Sequence, residues 1–217
     1  MLTSIVLPSR GRPSQLQMMI KSAREMAVGD LEIIVRLHND DPAKEHYKRE
    51  GAEFRDGASA PCPWLWDQLG MSAKGDVIML AADDFEFMTK GWDAMLREGA
   101  PPDGIWVANF GQSANGASCG NGYAMPSLVR DALGYFTAYW FHHWCSDKWL
   151  TDIAQLIGRF RPMANIWVQH HKGNDGTRQM MAAQNWIHSR DVAIFDRSLP
   201  WREAEAERLR KVMNAGS

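Results

Sequence analysis

Along the first half of the chain, hydrophobic residues fall into short dense runs, separated by stretches in which they recur at helical spacing. Residues 2–8 (LTSIVLP) are β-branched and apolar and end at Pro8, which reads as a strand. Pro13 and Ser14 then suit a helix start. Leu16, Met19, Ile20, Ala23 and Met26 mark one face of that helix until Gly29 and Asp30 break it. Residues 31–37 (LEIIVRL) read as a second strand. A polar loop from His38 to Pro42, a short helix over 43–49 and a short strand over 52–55 follow. Residues 62–73 read as a helix with Leu65, Leu69 and Met71 pointing inward. Val77 to Ala82 is an uninterrupted run of small and apolar residues, the pattern of a strand buried on both faces. Asp83 and Asp84 close it. A helix over 91–98 and a strand over 104–110 complete this half.

Such alternation predicts an α/β fold with a mostly parallel central sheet flanked by helices. Ligands of such sheets bind outside the carboxyl ends of the strands. Here those ends carry Ser9–Arg10–Gly11–Arg12, Asn39–Asp40–Asp41 and Asp83–Asp84, so three polar clusters converge on one edge. The second half has a different texture. Residues 111–124 are rich in Gly, Asn and Ser and read as a loop or hairpin. A helix follows Pro126, and residues 139–156 are apolar and aromatic. Residues 165–169 (NIWVQ) are strand-like and lead into His170 and His171, which predicts a smaller mixed β element. The tail from Trp201 to Met213 reads as a charged amphipathic helix. No repeat or linker interrupts the chain. We expect one domain over 1–217, with a first half of about 1–110, a second half of about 111–190 and a C-terminal helix of about 200–213.

Composition narrows the function classes. At 217 residues and 45% apolar content, the chain can bury one substantial core. The net charge of −2 provides no global basic footprint for nucleic acid. The start lacks the apolar run of a signal peptide, and no stretch approaches the ~20 apolar residues of a membrane span. The expectation is a cytoplasmic protein without a membrane partner. Cys62, Cys119 and Cys145 form no CxxC, which leaves free thiols as the expectation. His142, His143 and Cys145 match no common zinc spacing. Among ten tryptophans, Trp66 and Trp144 lie close to polar motifs and are candidate walls of a binding site.

The clusters suggest chemistry. Two adjacent carboxylates at the end of a buried strand repel one another and are costly to desolvate. Either one caps the next segment, or a hard divalent cation relieves the cost. Ser9 to Pro13 places two arginines at a helix start, which suits a phosphate, although neither the P-loop nor the GxGxxG spacing is present. Asn39, Asp40 and Asp41 can accept bonds from a ribose or a base, or cap the turn before Pro42. Asp147 precedes an aromatic helix and can serve as a general base or as an ordinary first-turn carboxylate. His170 or His171 can complete a metal shell.

In their order, these segments resemble the family 2-like glycosyltransferases of the GT-A fold, in particular short phage and bacterial forms. The resemblance runs through SIVLPSRGRP, LEIIVRLHNDDP, KGDVIMLAADDFEFMTKGWD, GYF with SDKWLTDIA, and VQHHKGNDGT, over roughly residues 2–180. It implies transfer of a sugar from a nucleotide-sugar, a UDP-sugar favoured, with Mn²⁺ or Mg²⁺ on the diphosphate, the half of about 1–110 binding the nucleotide and the half of about 111–190 serving acceptor and catalysis. Pro8, Ser9, Arg10, Arg12 and Asp40 or Asp41 would hold the nucleotide. The family's DxD is altered: Ala82 stands where its first Asp would be, Asp83 matches the middle position and Asp84 the metal ligand. Asp147 matches the catalytic base, and His170 or His171 the late metal ligand. The mechanism implied is in-line and inverting. The acceptor would be a glycan hydroxyl or, in a phage setting, a hydroxylated DNA base reached through Lys90, Arg130, Lys148, Arg159 and Arg161. Loss of catalysis, leaving a nucleotide-sugar-binding module, is the alternative that Ala82 raises. Nothing in the sequence speaks to oligomeric state.

Overall fold

The structure is a computed structural model, described here over residues 1–110, 122–171 and 185–215. Its first half follows the hydrophobic pattern. Strand β1 (Thr3–Ser9) runs into helix α1 (Pro13–Met26), which begins with Pro at its first position. Strand β2 (Leu31–His38) is followed by a single 3₁₀ turn (Lys44–His46) rather than a longer helix, and then by β3 (Glu53–Gly57). Helix α2 (Cys62–Ser72) leads to β4 (Val77–Leu80). Met71 is exposed instead of inward. The buried face of α2 uses Gly70, where an added Cβ would lie 2.1 Å from the Phe136 ring.

Beyond β4 come β5 (Phe85–Phe87), α3 (Trp92–Met95), β6 (Val107–Phe110), β7 (Gly122–Pro126), α4 (Ser127–Leu133), α5 (Ser146–Leu156), β8 (Phe160–Met163), β9 (Val168–His170), α6 (Asn185–Arg197) and α7 (Leu199–Ala215). The periodicity did not predict β5, β8 or α6. Residues 122–124, expected in a loop, open β7; residues 111–121, with Cys119, lie outside the described residues.

The main sheet has seven strands in the order β3-β2-β1-β4-β7-β6-β8. β1 pairs in parallel with β2 and β4, β2 with β3, and β6 with β8. β7 runs antiparallel to both β4 and β6. The smaller sheet is the antiparallel pair β5 and β9.

Strand alternation divides the core into two layers. Ile5, Leu7, Ile33, Val35, Leu37, Val77 and Met79 face one way and pack on Leu16, Met19 and Ile20 of α1 and on β5 and β9. Val6, Ile34, Ile78 and Leu80 face the other way, toward α2, α4, α5 and α7. Buried on both faces, β1, β2 and β4 read as continuous apolar runs, and each emits its polar residues at its carboxyl end.

The C-terminal helix is anchored by charge. Arg202 of α7 is 5% exposed, forms an ion pair with Asp152 of α5, donates to Ser198 Oγ at 2.9 Å and lies 4.0 Å from the Phe195 ring. No described helix is long and apolar enough to cross a membrane.

Candidate functional site

Ser9 is the last residue of β1 and is buried. Its hydroxyl donates to Asp83 Oδ2 at 2.7 Å. Three residues on, Arg12 precedes α1. Its Nη1 donates to Asp83 Oδ1 at 2.9 Å and to Asp84 Oδ2 at 3.1 Å, so one nitrogen bridges both carboxylates. The three side chains are 14%, 8% and 6% exposed. Burial pushes the Asp83 carboxyl up, against the Arg12 charge and the Ser9 and Arg12 hydrogen bonds.

The small sheet brings a distant residue to this pair. Phe85 lies opposite His170 in the β5–β9 register, and His171 N donates to Asp84 O at 2.9 Å. His170 Nε2 thereby comes to 2.9 Å from Asp84 Oδ1. The two atoms are close but not aligned as a hydrogen bond, and Asp84 Oδ1 and His170 Nδ1 are both buried without a hydrogen-bond partner. His171 turns elsewhere, its Nε2 at 2.7 Å from Glu86 Oε2. Strand alternation separates the neighbours, which the sequence alone left open.

Do these residues suit a divalent cation? Among the described residues, no group of three or more His, Cys, Asp or Glu side chains is placed to hold a metal ion. Asp84 and His170 supply two donors. Magnesium-like ions commonly take one or two protein ligands and complete their shell with phosphate oxygens and water. In an octahedron with bonds of about 2.1 Å, adjacent ligands stand about 3 Å apart, close to the observed Asp84–His170 separation. Asp84 Oδ1, close to His170 but without a hydrogen-bond partner, is the atom such an ion would need, and the donor set fits.

Beside this pair lies the loop after β2. Arg10 Nη1 donates to Asp40 Oδ1 at 2.7 Å and to Ser59 Oγ at 3.0 Å. The Arg10 and Ser59 hydrogen bonds hold the Asp40 carboxyl far below the usual carboxylate range. Asn39 and Asp40 are exposed at the mouth, with Asn39 Oδ1 accepting from Lys44 Nζ at 3.2 Å. Asp41 is turned inward and 5% exposed. Its oxygens accept Gly11 N at 2.8 Å, Ala43 N at 2.8 Å and the Tyr47 hydroxyl at 3.0 Å. Asp41 therefore builds the loop, and Asp40 is the carboxylate presented outward.

Tyr47 was not anticipated from sequence. Its hydroxyl accepts Arg12 N at 3.1 Å, donates to Asp41 and lies 3.2 Å from Ser9 Oγ, tying the loop after β1 to the loop after β2. Burial pushes its phenol up to about 12. The only local signal was one aromatic in the charged run KEHYKRE. Pro8 is half-buried in β1, opposite Arg36 of β2. Trp66 of α2 donates Nε1 to Ala81 O at 3.1 Å, two residues before the acidic pair.

Asp147 stands in the first turn of α5, half-buried, its carboxyl pushed up by burial. Its charge is felt by Tyr123, which lies opposite Leu80 of β4 and whose phenol is raised chiefly by burial. The turn entering α5 is held by a residue that the sequence did not flag. Asp191 of α6 is fully buried and accepts His142 N at 3.1 Å, His143 N at 2.9 Å and Trp144 N at 2.9 Å. Cys145, at φ 67°, then turns the chain into the helix. Trp144 is 41% exposed, its ring edge-on to His143 and His188, each at 5.1 Å. Asp152 is taken by Arg202. Cys62 and Cys145 are free thiols, both raised to about 11 chiefly by burial. Lys90 and Arg130 are engaged with backbone carbonyls, and Arg159 with Asp103.

No family model and no curated sequence matches the chain. Solved structures do match. A mannosyltransferase from Pyrobaculum calidifontis, in complex with GDP-Man and Mn²⁺, aligns with all of this chain and 76% of its own at 13% identity, with a TM-score of 0.61. The fold is GT-A-like. Glucosyl-3-phosphoglycerate synthase from Mycobacterium tuberculosis, in complex with Mn²⁺, UDP and phosphoglyceric acid, aligns with 83% of this chain and 74% of its own at 14% identity and a TM-score of 0.62. S. aureus TarS 1-349 with UDP-GlcNAc gives 0.61 at 10% identity, over 81% of this chain and 60% of its own. At these identities the likeness is one of fold.

Proposed function

We propose that the chain is a glycosyltransferase that moves a sugar from a nucleoside-diphosphate sugar, a UDP-sugar favoured, to an acceptor hydroxyl. The observation that carries this reading is the pairing of Asp84 with His170, beside Asp83 and the arginine loop, at the carboxyl edge of the sheet. Support also comes from the fold, shared with structures bound to GDP-Man, UDP and UDP-GlcNAc.

In this reading Asn39, Asp40 and Arg10 meet the base and ribose at the mouth, and Pro8 and Ser9 form the floor. Arg12 faces the diphosphate, for which its planar fork is suited. Asp84 and His170 would hold Mn²⁺ or Mg²⁺, which when bound would supply positive charge for a departing diphosphate. Trp66 backs the acidic pair, and Trp144 offers a ring to the acceptor side. Asp147 takes the acceptor proton as its hydroxyl attacks the anomeric carbon, which inverts that centre. Burial keeps this carboxyl more basic than a surface aspartate and so better matched to that task.

The test is nucleoside-diphosphate release from a panel of nucleotide-sugars, with and without Mn²⁺. Release is expected from one donor class. Asp84→Asn and His170→Ala should lose it, and His171→Ala should keep it. A folded protein that neither binds nor cleaves any nucleotide-sugar would end the proposal.

A further inference from the structure

We infer that Arg12 is a resident counter-cation of the acidic pair, so that a divalent metal binds well only when a diphosphate draws the guanidinium away. This rests on the reading above of Asp84 and His170 as a metal pair, and extends it to how the site is loaded.

The geometry is specific. Arg12 Nη1 touches one oxygen of each carboxylate, Asp83 Oδ1 at 2.9 Å and Asp84 Oδ2 at 3.1 Å. All three side chains are largely withdrawn from water. A buried carboxylate pair needs a nearby positive charge, and Arg12 supplies it from within the chain. Asp84 is shared: Oδ2 faces Arg12, and Oδ1 faces His170. A dication on Oδ1 and His170 would then sit one carboxylate away from a fixed guanidinium. In a site sheltered from solvent that repulsion is weakly screened.

A diphosphate relieves it. Its oxygens give Arg12 a new, bidentate partner and give the metal the ligands that the protein lacks. The backbone favours this move. Arg12 N is held by Tyr47 and Gly11 N by Asp41, so the side chain can turn while the loop stays in place. Metal and nucleotide affinities are thereby coupled, each strengthening the other by the same factor.

The test is Mn²⁺ titration followed by the electron paramagnetic resonance of the free ion, with and without nucleoside diphosphate and with no sugar present. Arg12→Gln should bind Mn²⁺ alone at least about tenfold more tightly than the unaltered chain. The enhancement by nucleoside diphosphate should shrink by a similar factor. Adding His170→Ala to Arg12→Gln should abolish the gain. A folded Arg12→Gln protein that binds Mn²⁺ no more tightly overturns the inference, and if the unaltered chain still forms a tight ternary complex, it overturns this inference alone. Absence of Mn²⁺ binding in both proteins under all conditions removes the metal pair as well. Should Arg12→Gln fail to fold, the unaltered protein decides. Its Arg12 side-chain ¹⁵N signal, assigned by its loss in Arg12→Lys, should move when Mg²⁺ and nucleoside diphosphate are both present. A signal that stays in place overturns the inference.

Discussion

At Asp147 the stability of the fold and the proposed role as a base pull in opposite directions. Burial raises its carboxyl above the ordinary value of about 3.9. The folded chain therefore holds this proton more tightly than the unfolded chain does. The stability it contributes is complete below the ordinary value and is lost as pH rises through the raised one. Near neutral pH the ionised side chain is a net cost. Asp147→Asn is expected to raise Tm there, with a smaller gain in acid, and to lower turnover by ~10²–10⁴ with donor binding retained. The acid limb of the pH–rate profile should lie above the ordinary carboxylate range in the unaltered protein. Calorimetry across pH together with steady-state kinetics checks both halves. Tyr47 gives a second prediction at this scale. Tyr47→Phe removes the hydroxyl that joins Arg12 N to Asp41, and should cost about 1–3 kcal/mol in chemical denaturation. Nucleotide affinity should weaken, since the Ser9–Arg12 loop loses a tether. Sequence patterning located Ser9, Arg12, Asp40 and Asp84 at strand ends. It did not find Tyr47, because a phenol that joins two separate loops carries no local signature.

At the scale of elements, the turn into α5 depends on α6. Three successive backbone N–H groups point at one buried carboxylate, and removing it strands all of them. Asp191→Ala should cost on the order of 3 kcal/mol and lower kcat by loosening the approach to Asp147. Asp191→Asn should recover part of the loss. Thermal denaturation and kinetics on the two variants test this, and equal stability of Asp191→Ala and the unaltered chain would discard it. Gly70 makes the same point through packing. Helix α2 approaches Phe136 so closely that Gly70→Ala is expected to destabilise by about 1–3 kcal/mol through overpacking. A long, strongly patterned helix such as α1 was readable at sequence level. β5, with its three residues, was not, since its existence depends on pairing with β9 more than eighty positions away.

For the whole molecule, the proposed donor site exists only when the ends of β1, β2 and β4 and the β5–β9 pair stand together. A ligand spanning them binds the folded chain alone. A nucleoside diphosphate with Mn²⁺ at ~100 times its dissociation constant should add about 2.7 kcal/mol to stability. Thermal shift across uridine, guanosine, cytidine and thymidine diphosphates identifies the base, and the absence of a shift with all four would contradict the donor assignment.

The residues by themselves determined the α/β alternation, the strands buried on both faces and the arrival of polar clusters at the sheet edge. These follow from local periodicity, which every short window of the chain carries. Tertiary structure decided which of two neighbours does what. Asp41 turns into its own loop while Asp40 faces out. His170 meets Asp84, and His171 meets Glu86. It also placed Arg12 between two carboxylates more than seventy residues away. Such choices depend on strand register and on long-range pairing of charges in a low-dielectric interior, and neither is written in the spacing of adjacent residues.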